Sequence, residues 1–263
     1  MKKVIFAGDV HGHLNKFYKR VGPINPDLIL QLGDMCTIRN EEELISVSAP
    51  NKYRRMGDYP DYNTGKKNIS FPTAFIAGNH ENAAMLQEHL EGFELVNNLY
   101  YLGRYGNKSL NEIGKDLGVE INSDIRIAWL SGVYGQNSFS TPLHKVEAPK
   151  YYAKKSAFHF RNFEINNLSK IGKADILMLH QLPATLQQHY INTGKLCLRS
   201  EKDRLCEELD IIILEMEVKQ VIIGHLHFED DVTIDGVRYI LLTDVESEEK
   251  FSAKLNLDTG RIE

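Results

Sequence analysis

The chain has 263 residues, a length at which α/β enzymes commonly fold around one core, so we expect a single domain over residues 1–263. Hydrophobic residues make up 42% of the sequence and charged residues 25%, which is typical of a globular protein and excludes wholesale disorder. The formal net charge of −5 argues against a protein that coats nucleic acid non-specifically, although it leaves room for a local basic patch.

The cysteines and the N-terminal residues indicate a compartment. Cys36, Cys197 and Cys206 form no Cys-x-x-Cys pair, so neither a disulfide framework nor a thiolate zinc site is predicted. The apolar run after the two N-terminal lysines is shorter than the roughly 7–15 apolar residues of a signal peptide. No stretch approaches the ~18 uninterrupted apolar residues of a membrane span. We therefore expect cytoplasmic localisation, or nuclear if the source is eukaryotic, with no membrane partner and no obligate protein partner.

Short apolar runs rich in β-branched residues recur along the chain. They predict strands that are buried on both faces, as in a sheet covered by helices. In chain order, the predicted strands are Val4–Ala7, Leu28–Leu32, Ala74–Ala77, Tyr100–Leu102, Ile125–Leu130, Ile176–Leu179 and Val221–Ile223.

Helices are predicted between several of these strands, and the C-terminal region changes character. Leu14, Phe17, Tyr18 and Val21 have the i, i+3, i+4, i+7 spacing of one helix face, and further helices are predicted at Ala84–Leu90, Phe163–Ile171 and Arg204–Val218. Val232–Ile234 and Val237–Leu242 flank an Asp235-Gly236 turn, and Phe251–Leu257 is followed by Asp258-Thr259-Gly260. These C-terminal runs predict hairpins on the edge of a sheet.

Five polar motifs stand directly after predicted strands. They are Gly8-Asp9-Val10-His11-Gly12, Gly33-Asp34, Gly78-Asn79-His80-Glu81, His180 and Gly224-His225-Leu226-His227. In open α/β sheets, ligands bind outside the carboxyl ends of the strands, so we expect all five motifs to converge at one rim. Each motif alone is weak, because an Asp after a strand is commonly a helix cap or a turn residue. The ordered set of five indicates a site.

The side chains in these motifs are carboxylates, imidazoles and an amide, without a thiolate. This donor set suits borderline cations such as Mn²⁺, Fe²⁺ or Zn²⁺. Two such ions about 3.5–4 Å apart can clamp the attacking and leaving oxygens of a phosphoryl group, so the pattern predicts a phosphoesterase that uses a metal-bound hydroxide. One carboxylate must bridge the ions. Asp34 is the candidate, because a lone Asp at the end of a buried strand otherwise carries an unpaired charge.

The ordered motifs resemble those of the calcineurin-like metallophosphoesterase family. The family pattern of Asp-x-His, Gly-Asp, Gly-Asn-His-Glu, His and Gly-His-x-His is complete here between Asp9 and His227. The resemblance implies an α/β (α+β) fold, a four-layer β-sandwich flanked by helices with long active-site loops. It also implies a first metal held by Asp9, His11, Asp34 and His227 and a second held by Asp34, Asn79, His180 and His225. His80 would then be the catalytic residue that faces the scissile phosphate.

A narrower resemblance, to the RNA lariat debranching enzymes, lies between the metal motifs. It rests on residues 39–44, 50–54, 98–103 and 131–132. These enzymes cleave the 2′,5′-phosphodiester at an intron branch point, so the resemblance implies an RNA substrate. The eukaryotic enzymes carry Cys where this chain has Asp9, and Asp-Trp-Pro where it has Gln181-Leu182-Pro183. Asp9 favours the two-metal interpretation.

Two irregular stretches, Thr37–Pro72 and Tyr134–Arg161, are predicted to be binding loops, because long irregular insertions in a compact enzyme are seldom linkers. By analogy with the lariat enzymes, residues 134–161 would be a recognition loop insertion. Its mixture of cations and aromatic rings suits single-stranded nucleic acid, although a solvated loop would have a similar composition. The predicted substrate-binding residues are Lys150, Lys154 and Lys155 in this stretch and Arg39, Tyr53 and Arg54 in the earlier one.

Two other functions stay open at this point. A phosphomonoesterase that acts on phosphoprotein or nucleotide would use the same two divalent ions but would need no long basic loop. A non-catalytic scaffold with this fold would be expected to have lost metal ligands, and none of the expected ligands is missing from the motifs.

Overall fold

Two six-stranded mixed β-sheets form the centre of the protein. The computed structural model describes residues 2–47, 54–82, 85–86, 89–142, 155–196 and 205–263. The first sheet has the order β12 (Ser252–Leu255), β1 (Val4–Ala7), β2 (Leu28–Gln31), β3 (Thr73–Phe75), β5 (Leu99–Tyr101) and β4 (Phe93–Val96). The second has the order β10 (Asp230–Ile234), β11 (Val237–Leu241), β9 (Gln220–Ile223), β8 (Ile176–Leu179), β7 (Arg126–Leu130) and β6 (Tyr105–Ser109). In each sheet, four parallel strands lie in the middle and one antiparallel strand forms each edge.

The described helices connect these strands. They are α1 (Leu14–Val21), α2 (Glu41–Ser46), α3 (Tyr59–Asn63), α4 (Leu110–Asp116), α5 (Gln136–Phe139), α6 (Asn162–Ile171), α7 (Ala184–Asn192) and α8 (Glu207–Glu215), with short 3₁₀ helices at Gly22–Ile24 and Lys155–Phe158. No helix within the described ranges has the length and apolar character needed to span a membrane.

Side chains of the central strands alternate between two apolar layers. Phe6 of β1 and Met178 of β8 belong to the core between the two sheets. Ile5 faces the other way and packs with α1, while Leu177 packs with α6, α7 and α8 on the outer side of the second sheet. Burial on both faces explains why these strands are continuously apolar in the sequence. The helix, sheet, sheet, helix order confirms the predicted four-layer fold.

The seven predicted central strands are all present, with ends that differ by at most two residues, but the edge strands β4 and β6 were not predicted. The sequence of β6, Tyr-Gly-Asn-Lys-Ser, is polar, and the strand is defined by its antiparallel pairing with β7. Such an edge strand depends on its partner more than on its own apolar pattern. The C-terminal runs do form hairpins at the edges of two different sheets: β10 and β11 turn at Asp235-Gly236, and Leu255 of β12, which also pairs with β1, bridges antiparallel to Ile262.

Helices α1 and α6 confirm their predictions, and α8 is shorter than the predicted Arg204–Val218. Residues 84, 87, 88 and 204 of the predicted helices lie outside the described residues. Helices α4 and α7 were missed, although α4 begins with a readable capping box between Ser109 and Glu112. The stretches predicted to be irregular contain α2, α3, α5 and a 3₁₀ helix, and residues 143–154 of the second stretch lie outside the described residues.

The expectation that all five motifs share the rim of one sheet is wrong in one respect, because they follow strands of two sheets. β1, β2 and β3 are parallel neighbours in the first sheet, and β8 and β9 are parallel neighbours in the second. The two carboxyl edges meet across the sandwich, where the ring Nδ1 of His180, after β8, lies 2.7 Å from the carbonyl oxygen of Leu32, after β2. Apolar runs do not reveal which sheet a strand joins, so the sequence could not show this division.

Candidate metal centre

The seven predicted metal ligands come together where the two carboxyl edges meet. Asp9 and His11 follow β1, Asp34 follows β2, Asn79 follows β3, His180 follows β8, and His225 and His227 follow β9. Six of them fall, with His80, into three groups whose candidate ligand atoms lie within 4.8 Å of one another: Asp9, His11 and His227; His11, Asp34 and His80; and Asp34, His180 and His225. We call the seven predicted ligands the candidate metal centre.

The first half of the centre has the spacing of atoms around a single ion. His227 Nε2 lies 3.0 Å from Asp9 Oδ2 and 3.0 Å from His11 Nε2, and the last two atoms are 3.7 Å apart. Donors that bind one ion at about 2.0–2.2 Å, with tetrahedral or octahedral angles, lie about 2.8–3.6 Å from each other. Two of the three distances fall within this range and the third lies just above it, so the three side chains can hold one transition-metal ion after a small adjustment.

The second half of the centre contains buried polar atoms whose hydrogen bonding within the protein is incomplete. Asp34 Oδ2, Asn79 Oδ1 and His180 Nε2 are inaccessible to solvent and make no hydrogen bond of good geometry with the described residues. Buried polar atoms are normally paired, and an unpaired one is costly. Asp34 Oδ2 lies 3.4 Å from His180 Nε2 and 3.9 Å from His11 Nδ1, so it stands between the two halves as a bridging carboxylate would. A cation would satisfy these atoms.

His80 is held directly beside the Asp34 carboxylate. Its ring Nδ1 lies 3.0 Å from Asp34 Oδ2, and its backbone N–H donates to Asp34 Oδ1 at 2.8 Å. The His80 side chain is almost completely buried. Its position at the centre is compatible with the predicted catalytic role.

The backbone of the centre is strained and tightly packed. His11, Asp34, His225 and His227 have φ angles of 49°, 55°, 79° and 56°, in the left-handed region that non-glycine residues seldom adopt. Gly78 allows the strand exit to pass against the ligands, because a Cβ at this position would collide with Asp34 Oδ1 and His180 Nε2. Strain of this kind persists only where the surrounding structure enforces it, and it concentrates at functional sites.

A second layer of contacts orients the ligands. The contact of His180 Nδ1 with the Leu32 carbonyl orients that ring, and His227 Nδ1 lies 3.1 Å from Asp244 Oδ2. The buried carboxylate of Glu81 accepts the backbone N–H groups of Met35 and Cys36 at 2.7 and 2.8 Å, which joins the loop after β2 to the loop after β3.

Sequence reasoning assigned no role to Glu81 or to Asp244. Glu81 is part of a recognised motif and could have been found there. Asp244 stands in no motif, and its contact with His227 arises only from the fold.

Charges in the centre favour a bound cation. Burial alone would raise the pKa of Asp34, but contacts with His180 and His80 hold that pKa well below its ordinary value. Burial also works to lower the pKa of His180, but Asp34 and Asp9 raise it to about 9. Burial, reinforced by His180, lowers the pKa of His225 to about 4. Two buried carboxylates thus attract positive charge to a point lined by imidazoles.

The predicted substrate-binding residues are described only in part. Arg39 forms an ion pair with Glu43, whose carboxylate also accepts from Asn82 Nδ2 at 2.6 Å, so Arg39 is tied to the loop that carries His80. Arg54 is half-buried. Tyr53, Lys150, Lys154 and the side chain of Lys155 lie outside the described residues, and their roles stay predictions.

Two neighbours of the centre have contacts of their own. Cys36 is buried, its thiol donates to the His80 carbonyl at 2.8 Å, and burial raises its pKa well above the ordinary value. Cys36 is therefore held as a buried, protonated thiol. His13 lies 3.6 Å from the carboxylate of Glu246, outside the ligand groups.

Comparison with known proteins gives lariat debranching enzymes among its matches. The lariat debranching enzymes of Gallus gallus and Homo sapiens are each 34% identical to the chain over 203 residues, which cover 74% of this chain and 35% of theirs. The lariat debranching enzyme of Entamoeba histolytica is 28% identical over 243 residues, which cover 87% of this chain and 65% of that protein. The chain thus spans about a third of the length of the two vertebrate relatives.

The fold and the family agree with the geometry of the centre. The solved structure of the Thermus thermophilus protein TT1561 matches with a TM-score of 0.52 at 12% identity, covering 100% of this chain and 97% of that one, which shows a shared fold. A sequence model described as Calcineurin-like phosphoesterase matches residues 2–229, the span that holds every candidate metal ligand. On this match the chain belongs to the calcineurin-like phosphoesterase family.

Proposed function

We propose that this chain is a metal-dependent phosphodiesterase that cleaves RNA at 2′,5′-phosphodiester bonds, as in the debranching of lariats. The observation that carries the proposal is the complete ligand set around Asp34, whose Oδ2 stands 3.4 Å from His180 Nε2 and 3.9 Å from His11 Nδ1. The choice of RNA as substrate is supported by the curated relatives, which are named lariat debranching enzymes.

Two divalent ions, Mn²⁺, Fe²⁺ or Zn²⁺, would occupy the centre. The first would be held by Asp9, His11, Asp34 and His227, and the second by Asp34, Asn79, His180 and His225. Bound ions supply Lewis-acid polarisation of the phosphoryl oxygens and an activated water. The donor set and the unsatisfied atoms Asp34 Oδ2, Asn79 Oδ1 and His180 Nε2 fit this assignment.

The protein's own contribution is orientation and proton transfer. Asp34 fixes His80 by two contacts, one to the ring and one to the backbone. In hydrolysis a water oxygen bonds to phosphorus, the bond from phosphorus to the ribose oxygen breaks, and that oxygen takes up a proton. His80 is the candidate donor of this proton, or the group that stabilises the charge developing on the phosphate.

One preparation assayed on three substrates tests the proposal. We expect the metal-loaded protein to cleave a chromogenic diester and a branched RNA, to act slowly on a chromogenic monoester, and to lose all three activities with a chelator. His80→Ala serves as the control for contaminating nucleases, because it should lower turnover on both diesters together. A kcat/KM that is highest for the monoester would contradict the proposal and favour a phosphomonoesterase.

A further inference from the structure

Asp244 reaches the metal centre from a strand that carries none of the five motifs. It follows β11, which pairs in parallel with β9 so that Leu241 stands opposite Ile223. The carboxyl ends of these neighbouring strands therefore lie side by side. This places Asp244 next to His227, which follows β9, with Asp244 Oδ2 3.1 Å from His227 Nδ1.

The other oxygen of Asp244 is committed to its own loop. Oδ1 accepts the backbone N–H groups of Glu246 and Ser247 at 2.8 and 2.9 Å. The loop is fixed in turn, because the Val245 N–H donates to the Asp9 carbonyl at 2.8 Å and Arg20 Nη1 donates to the Val245 carbonyl at 2.8 Å. The carboxylate facing His227 is therefore held in place.

This contact has a consequence for which nitrogen of His227 can bind a metal. A carboxylate is only an acceptor, so Asp244 favours a proton on the Nδ1 that faces it. Nε2 lies 3.0 Å from Asp9 Oδ2, which is also only an acceptor, and 3.0 Å from His11 Nε2, so the two carboxylates compete for the proton of a neutral ring. An ion bound between Asp9 and His11 would need the Nε2 lone pair, and Asp244 then holds the proton on Nδ1. Metal-binding histidines commonly have their tautomer fixed by such a partner.

We propose that Asp244 is a positioning residue that fixes the tautomer and orientation of His227 and so completes the first metal site. The inference rests on the proposed metal binding and is independent of the RNA substrate. The competing explanation is that Asp244 only stabilises the 244–249 loop.

Two variants separate these explanations. In Asp244→Asn, the amide oxygen can face either the backbone N–H groups or His227 Nδ1, but not both, and its NH₂ group must face the other side. With the oxygen towards the loop, His227 would be driven to the Nε2–H tautomer. Arg20→Met is the matched control, since it loosens the same loop through Val245 and Ser247 without touching His227.

The first measurement is Mn²⁺ binding by calorimetry on the folded proteins. We expect Asp244→Asn to bind one of its two ions about 10–100-fold more weakly, as for other outer partners of metal ligands, and Arg20→Met to bind both ions like the wild type. Unchanged affinity in Asp244→Asn, or an equal loss in Arg20→Met, would overturn the proposal.

The second measurement is the tautomer of His227, by two-bond ¹H–¹⁵N correlation in the Zn²⁺-loaded protein, where the ion and not Asp9 competes for Nε2. We expect Nδ1–H in the wild type and in Arg20→Met, and a smaller Nδ1–H population in Asp244→Asn. A wild-type Nε2–H tautomer would overturn the proposal even if Asp244→Asn does not fold. If the wild type binds fewer than two ions, the proposed function fails, while the tautomer still decides the role of Asp244.

Discussion

At the scale of single residues, Asp34 occupies the most constrained position in the metal centre. It is buried, its φ is 55°, and its two oxygens contact His80 and His180. A glycine at position 78 leaves room for this carboxylate. So many constraints on one side chain are expected of a bridging ligand, since a charge at this depth needs a partner of opposite sign.

Replacement of Asp34 and of His80 should have different effects. Asp34→Asn removes the shared charge and should strip the metals, whereas His80→Ala should keep them and slow turnover by about 10²–10⁴-fold, as for a proton donor or charge stabiliser. Elemental analysis and the rate on a diester with a poor leaving group measure the two effects. His189→Ala, on α7 and outside the centre, is the control.

The assignment of the two roles would be wrong under either of two outcomes. One is an Asp34→Asn protein that still holds two ions per chain. The other is a His80→Ala protein with near-full activity on the poor diester.

The candidate ligands could be predicted residue by residue because each motif is local in sequence. Gly33-Asp34 and Gly224-His225-Leu226-His227 can be recognised without knowledge of the fold. Asp244 could not, because its role follows from the pairing of β11 with β9, which brings it beside His227, 17 positions earlier in the chain. Long-range contacts of this kind were the part of the site that the sequence did not reveal.

At the scale of elements, a buried ion pair joins the start of β6 to α6. Arg104 donates through Nε and Nη2 to the two oxygens of Glu164 at 2.7 and 2.8 Å, and Nη2 also donates to the His159 carbonyl at 2.9 Å. Glu164 Oε2 accepts the Arg161 N–H as well. The pair therefore fastens the end of the predicted 134–161 recognition stretch to the sandwich.

Removal of one partner of this pair should destabilise the protein more than removal of both. Glu164→Leu leaves a buried guanidinium without its carboxylate, so the free energy of unfolding should fall by about 3–5 kcal/mol. The double variant Arg104→Met, Glu164→Leu should recover the larger part of that loss. Urea unfolding measures both.

An exposed ion pair gives the matched control. Lys173 and Glu217 lie 2.6 Å apart at the surface, and Lys173→Met should cost less than about 1 kcal/mol. A double variant at least as unstable as Glu164→Leu alone would show that the buried charge is not the cause.

Elements with their own apolar pattern could be predicted from the sequence, and elements defined by a partner could not. Central strands such as β1 and β8 are apolar on both faces and could be found from the sequence, whereas β6 takes its conformation from β7 and could not. Helix α4 follows a capping box that was present in the sequence and overlooked. The division of the strands between two sheets depends on packing, which no single run of residues encodes.

At the scale of the whole molecule, the metal centre lies between the two sheets and takes ligands from both. Asp9 and Asp34 come from the first sheet, and His180, His225 and His227 come from the second. A bound ion would therefore link the two layers. Since the native centre exists only in the folded chain, metal binding should also stabilise the fold.

Removal of metal should lower the unfolding temperature. An ion present at 100 times its dissociation constant stabilises by about 2.7 kcal/mol per site, and in a protein of about 150–250 residues each kcal/mol shifts Tm by about 2–4 °C. Calorimetric scans of chelator-treated and Mn²⁺-loaded protein should therefore differ by at least several degrees. Asp34→Asn should show no such difference, and an identical Tm for both forms of the wild type would contradict metal binding at this site.

If the metal centre cleaves 2′,5′-linked RNA, a ratio of rate constants on two linkages should show it. The measurement is kcat/KM of the Mn²⁺-loaded protein on two oligonucleotides of one sequence, one with a 2′,5′ linkage and one with a 3′,5′ linkage, with His80→Ala as the blank. Positioning of the nucleotides around the bond must supply the selectivity, because an activated water attacks any accessible diester. We predict a higher kcat/KM for the 2′,5′ linkage. Equal values would contradict the debranching assignment and leave a general phosphodiesterase.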